Sequence, residues 1–145
     1  VLMKVRTLLF GDIEIGDEYK IEFVSPILGF EDEREFVLIR EKDDSPFFWL
    51  QSLKTPELAF LLADPFIFFP DYSINIEDSH IGEKIAIYVI VALNEDFKLS
   101  TANLIAPIVI DIESKKAFQI VLEDSPYTTR HYLFEDEISN SALVG

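Results

Sequence analysis

Apolar residues in this chain come in short bursts, and none of them sustains a 3.6-residue stripe over three helical turns. The bursts are rich in Ile, Val, Phe and Leu, and turn signals separate them at close spacing. Met3–Phe10 is an apolar first strand ended by Gly11-Asp12, and Ile13–Ile15 is a stub before Gly16-Asp17 turns the chain again. Tyr19, Ile21 and Phe23 alternate with Lys20 and Glu22, the period of a half-buried strand. Phe36–Arg40, Phe47–Leu53, Leu58–Ala63 and Ile85–Leu93 follow as strands. Residues 108–112 and 117–122 read as a hairpin across Ser114-Lys115-Lys116. Such a series predicts an all-β, single-domain barrel or sandwich with only short helical turns.

The connections carry expectations of their own. In the 26–35 loop, Gly29 should take a special backbone angle and Phe30 should anchor the loop in the core. Asp64-Pro65-Phe66-Ile67-Phe68-Phe69-Pro70 brackets aromatics with prolines and reads as an extended segment packed under a loop. The polar 71–84 stretch holds a helical turn near Ile76–His80, and residues 135–145 form a flexible tail after a domain spanning 1–134.

Residues 101–111, Thr-Ala-Asn-Leu-Ile-Ala-Pro-Ile-Val-Ile-Asp, break an apolar run with two polar or irregular positions. Pro107 cannot donate to a ladder, so it marks a strand start, a bulge or an edge. Asn103 should be part-buried beside that irregularity, its amide holding backbone groups that lack strand partners.

Composition narrows the function. An apolar fraction of 49% with 13 Phe supplies ample core for 145 residues. The absence of cysteine removes disulfide and thiolate chemistry and suits a reducing, cytoplasmic setting. The longest apolar run, Ile85–Leu93, is far below the ~20 residues that cross a bilayer, so no membrane partner is expected. No basic segment precedes an apolar one near the start, so no secretory signal is expected either. With 27 acids against 12 bases the net charge is −15, and the bases are scattered. Direct nucleic-acid binding needs clustered cations, so a basic protein partner is expected instead.

Catalytic constellations are missing. His80 and His131 are the only histidines, and neither has the spacing of a zinc site. There is no nucleophile elbow, no phosphate loop and no calcium loop, so no enzyme activity, metal or cofactor is expected. The acid clusters Glu31-Asp32-Glu33, Asp43-Asp44 and Glu135-Asp136-Glu137 read as solvated turn flanks. Aromatics are in surplus: one of Phe48 and Trp49 should face away from the core, and Phe66, Phe68 and Phe69 should not all point inward. If exposed and ringed by acids, they would receive an apolar anchor of a basic partner, so Phe48, Trp49, Phe66, Phe68, Phe69, Glu31, Asp32 and Glu33 are the candidate contact residues. The alternative is a small-ligand-binding or hydrolytic barrel, which requires a deep pocket lined by a His or paired acids.

The 101–111 segment, with Gln119-Ile-Val-Leu122 and Tyr127-Thr-Thr-Arg130-His131 behind it, resembles the FliW family of flagellar assembly factors. Phe10–Ile15, Leu28-Gly29-Phe30-Glu31, Ser45–Ser52 with Gln51 and Ser52, and Leu58–Pro65 resemble its other motifs in the same order. The chain departs from the family at Ser25–Glu31, at Tyr132 and in a short 71–84 connection, which bears on contacts those loops make. The resemblance implies a small β-barrel in which Gly29, Phe30, Gln51, Ser52, Asn103, Pro107, Tyr127, Arg130 and His131 are structural, with His131 closing a barrel end. It also implies two protein partners: the RNA-binding translational repressor CsrA, relieved from flagellin mRNA, and flagellin itself.

Overall fold

A computed structural model describes residues 1–76 and 84–134. Eleven strands form, β1 (Leu2–Thr7), β2 (Gly11–Gly16), β3 (Lys20–Phe23), β4 (Glu35–Ile39), β5 (Phe47–Ser52), β6 (Ala59–Ala63), β7 (Ile85–Ala92), β8 (Thr101–Ala102), β9 (Ile108–Asp111), β10 (Lys116–Gln119) and β11 (His131–Tyr132). One helical turn, α1 (Pro65–Phe68), and two 3-10 turns complete the described elements. β3 to β7 run as an antiparallel meander, β10 joins β3 in parallel, and β9 bridges β10 to β7. That last pairing closes a seven-strand barrel, so the sandwich option falls away. β8 and β11 extend from β7 outside the closure, and β1–β2 form a separate hairpin.

Even-numbered residues of β5, β6, β7 and β9 point into the lumen. Leu50, Leu62, Ile108 and Ile110 meet Phe23, Phe36 and Ala117 there, with Phe48, Phe60, Tyr88 and Ile90 packed around them. Phe36 is fully buried, its ring edge-on to Phe23 at 5.3 Å and tilted against Phe60 at 6.1 Å. The odd-numbered residues of β5–β7 face outward, yet Leu61, Ala63, Val89 and Val91 are buried as well. A second core covers them, built with Tyr72, Leu104 and Leu133 and flanked by Phe68, Phe69 and Phe134. Both faces of this part of the sheet are therefore dry. Near-continuous apolar strands such as Phe47–Leu50 and Ile85–Val91 have that meaning.

Several local expectations give way. The first strand stops at Thr7 rather than Phe10, because Thr7 Oγ1 accepts from the Phe10 N–H (2.8 Å) and donates to the Gly11 carbonyl (2.7 Å). Gly11, at φ +68°, turns the chain into β2, so the expected stub is a full strand. Tyr19 ends a 3-10 turn over Asp17–Tyr19 instead of starting a strand. The 64–70 segment is not extended. Asp64 caps α1 by accepting from Phe66 N–H, and Pro65 at the first helical position has its angle preset. Gly29 does take a left-handed angle, φ +89°, but Phe30 stays 37% exposed and only leans edge-on against Phe60 at 4.9 Å. Residues 77–80 of the turn expected near Ile76–His80, and the 135–145 tail, lie outside the described residues.

Candidate functional site

The irregular 103–107 stretch is a seam between the two cores. β8 and β9 lie on the same edge of β7. An unbroken ladder continuing from the Val91–Ala102 pair would bring residue 105 opposite Tyr88, but Ile108 is there, so three residues loop out. Asn103 still donates its N–H to the Ile90 carbonyl, and its side-chain oxygen accepts from the Ala106 N–H (3.2 Å). Pro107 stands where the ladder resumes, immediately before β9, and needs no donor.

The looped-out backbone is used by the cover. The Leu104 carbonyl accepts from the Tyr72 hydroxyl (2.7 Å), and the Ile105 carbonyl from Leu122 N–H (2.7 Å). Leu104 and Ile105 both donate to the Thr128 carbonyl. Gln119 Nε2 donates to the Ala106 carbonyl (3.1 Å) while its Oε1 accepts from Leu28 N–H (3.0 Å), tying the 28–33 loop to the same seam. Tyr127 stacks edge-on to Tyr72 at 4.7 Å and accepts the Ser73 N–H at its hydroxyl. His131, on β11, accepts the Thr128 N–H at Nε2 (2.8 Å) and lies edge-on to Tyr127 and Phe69. Its ring thus fixes the return of the chain onto β8. Arg130 is exposed.

A second tie runs through Gln51 and Ser52. Gln51 Nε2 donates to the Ser52 and Pro56 carbonyls, bracing the tight β5–β6 connection from inside. Ser52 Oγ donates to Glu33 (2.6 Å) and accepts from Lys54 and Thr55 N–H. Thr55 Oγ1 donates to the other Glu33 oxygen. Glu33 is therefore buried rather than solvated: two hydroxyls replace water around its carboxylate. Glu31 and Asp32 remain exposed on that loop.

Burial of the Tyr72 phenol, then the neighbouring Tyr127, raises its pKa far above the ordinary tyrosine value. The group stays a neutral donor. Because the folded value exceeds the unfolded one, its contribution is intact below pH ~10 and is lost as pH rises beyond that. Tyr72→Phe should cost about 1 kcal/mol in urea melts at pH 8, where the Leu104 carbonyl loses its partner. The same variant should show a shallower loss of stability between pH 9 and 11 than the parent chain.

The surface offers two features. One is an open cleft of 730 Å³ between Phe68–Tyr72 and Pro126–Phe134, floored by Leu104. The other is an apolar band on the outside of the barrel. Phe47, Trp49, Leu61, Leu93 and Phe97 line one groove of it beside Glu41, whose carboxylate accepts from the Trp49 indole (3.2 Å). Leu93, Leu99 and Tyr132 line the adjoining groove beside Arg130. Leu93 is 54% exposed and Phe97 46%.

Of the aromatics singled out in sequence, Trp49 belongs to this band. Phe48 turns to the lumen, between Tyr88 (4.8 Å) and the Arg40 guanidinium (4.8 Å). Phe68 and Phe69 sit in the cover, and Phe66 is exposed on α1 with Ile67. Leu93, Phe97, Leu99 and Tyr132 were not singled out. The signal of the first three was Leu93, Phe97 and Leu99 set among Asn94, Glu95, Asp96 and Lys98 beyond the end of β7; Tyr132 carried none of its own. Among the described residues no group of three or more His, Cys, Asp or Glu is placed to hold a metal ion, and no helix is long and apolar enough to cross a membrane.

Residues 4–133 match the family profile described as FliW protein. The chain is 42% identical over 140 residues to a flagellar assembly factor FliW from Syntrophomonas wolfei, covering 92% of this chain and 90% of that one. It is 40% identical over 144 residues to the one from Geobacillus thermodenitrificans, covering 94% and 99%. A crystal structure of a flagellar assembly factor FliW superposes with a TM-score of 0.82 at 40% identity, over 91% of this chain and 97% of that one.

Proposed function

This chain belongs to the FliW family of flagellar assembly factors, and on that premise we propose that it works as a partner switch in the cytoplasm. In this reading it binds the translational repressor CsrA and relieves repression of flagellin mRNA. Accumulating flagellin competes for it and frees the repressor. No turnover is involved.

The observation that carries this reading is the apolar band formed by half-buried Trp49 and exposed Leu93, Phe97 and Tyr132, on the outside of a barrel whose lumen is filled by side chains. Contact chemistry needs an exterior of this kind. An amphipathic helix of flagellin would lay its apolar face along the band, with Glu41, Glu95 and Asp96 near basic flanks of that helix. Toward the repressor, the charge of −15 supplies the rest. Docked within a Debye length of a basic RNA site, ~8 Å at physiological salt, it lowers the positive potential that RNA requires.

Titration calorimetry with the cognate flagellin and the cognate CsrA-type repressor tests both halves. Phe97→Asp and Leu93→Asp should weaken flagellin at least about tenfold while far-UV circular dichroism is unchanged. RNA release from the repressor should fade as salt rises; release indifferent to salt would replace the electrostatic account with a steric or conformational one. Failure of the parent chain to bind either protein would remove the proposal.

A further inference from the structure

The barrel has no free edge where it closes, but the β1–β2 hairpin does. The Asp17 N–H bonds the Val1 carbonyl at 2.9 Å, and the register runs from Leu2 opposite Gly16 to Thr7 opposite Gly11. Odd-numbered residues of the two strands therefore exchange hydrogen bonds with each other, and even-numbered residues turn their N–H and C=O groups outward. On the β1 side the outward series ends at Leu8, whose N–H is taken by the Pro56 carbonyl (2.9 Å). On the β2 side, the main-chain N–H and C=O groups of Asp12 and Glu14 have no hydrogen-bond partner among the described residues, and the Gly16 N–H also points outward, while its carbonyl starts the 3-10 turn over Asp17–Tyr19.

The side chains specify what fits. Ile13 and Ile15 are half-buried on the barrel side, while Asp12 and Glu14 are exposed on the other. β1, which already occupies the opposite edge of β2, has the complementary pattern: Lys4 and Arg6 exposed, Val5 buried, and Arg6 paired with Asp12 at 3.8 Å. We propose that the open β2 edge is a strand-docking site for an extended protein segment in which Lys or Arg alternates with apolar residues. Its bases would flank Asp12 and Glu14, its apolar side chains would continue the Ile13–Ile15 row, and its backbone would exchange hydrogen bonds with residues 12 and 14 and accept the Gly16 N–H. The net charge of −15 steers such a segment inward. It also disfavours a symmetric β2–β2 pairing of two copies, which sets Asp12 and Glu14 against their own kind. The proposal stands apart from the partner switch and from the apolar band.

The test uses the ¹⁵N-labelled full chain and a capped Lys-Val-Lys-Val-Lys-Val peptide. Amide shifts should centre on Asp12, Glu14 and Gly16, and binding should weaken with salt. N-methylation of the peptide at alternate positions should abolish binding in one of its two registers of methylation. Glu14→Pro removes an outward N–H without touching the β1–β2 ladder, so the chain should keep its dispersed spectrum and bind at least tenfold more weakly. A Glu-Val-Glu-Val-Glu-Val peptide should not bind. Shifts located elsewhere, equal binding by the proline variant or by both N-methylated peptides, or no binding at millimolar peptide would each overturn the proposal. So would concentration-dependent association of the chain alone that Glu14→Pro abolishes, since the occupant would then be a second copy.

Discussion

Replacing Phe36 with alanine should destabilise the chain by about 3–5 kcal/mol, measured as a shift of the urea midpoint at constant m-value. Phe36 is fully buried at the centre of the lumen, against Phe23 and Phe60, on a strand hydrogen-bonded along both edges. Closed-barrel strands cannot slide together to fill the gap, because every register is fixed by its two neighbours. The loss thus includes a residual cavity as well as the transfer of the ring, and most of a small domain's stability is of that size. A cost below ~1 kcal/mol would mean that the lumen collapses freely and is not packed as described.

Ser52→Ala should follow at about 2–3 kcal/mol in the same assay. The fully buried hydroxyl donates to Glu33 and receives the N–H groups of Lys54 and Thr55. Without it, one oxygen of a buried carboxylate and two turn amides lose a partner in a place water reaches poorly. A second substitution separates the two parts. In a Ser52→Ala, Glu33→Gln double-mutant cycle, the coupling should be at least ~1 kcal/mol; additive effects would show that the serine serves the turn alone.

The fold was readable where local chemistry decides. Alternating Tyr19–Phe23 marked β3 to within a residue, and Pro107 stood at the start of β9 as a residue without an N–H must. Asn103 held a backbone N–H beside the irregularity, as its amide in an apolar run required. Legibility ended where a hydroxyl or a cap competes with apolar pattern. Leu8, Leu9 and Phe10 look like strand, but the Thr7 side chain closes the turn before them. Phe66–Phe69 looks extended between prolines, but Asp64 and Pro65 start a helix. Tertiary burial was the least visible. Glu33 differs from Glu31 only in having Ser52 and Thr55 above it, and those lie 19 and 22 residues away. The exterior band depends on how residues 93–99 and 130–132 are brought together, which no single segment encodes.

The loop-out between Asn103 and Ile108 interrupts the strand that zips β7 to the rest of the barrel. Its freed carbonyls and amides are held by Tyr72, Leu122 and Thr128 in the outer cover. The cover has no hinge of its own there: lifting it unthreads the stitching beside the barrel's closing strand. A protein seated on that cover would therefore rest on residues whose hydrogen bonds run into the barrel's closing strand.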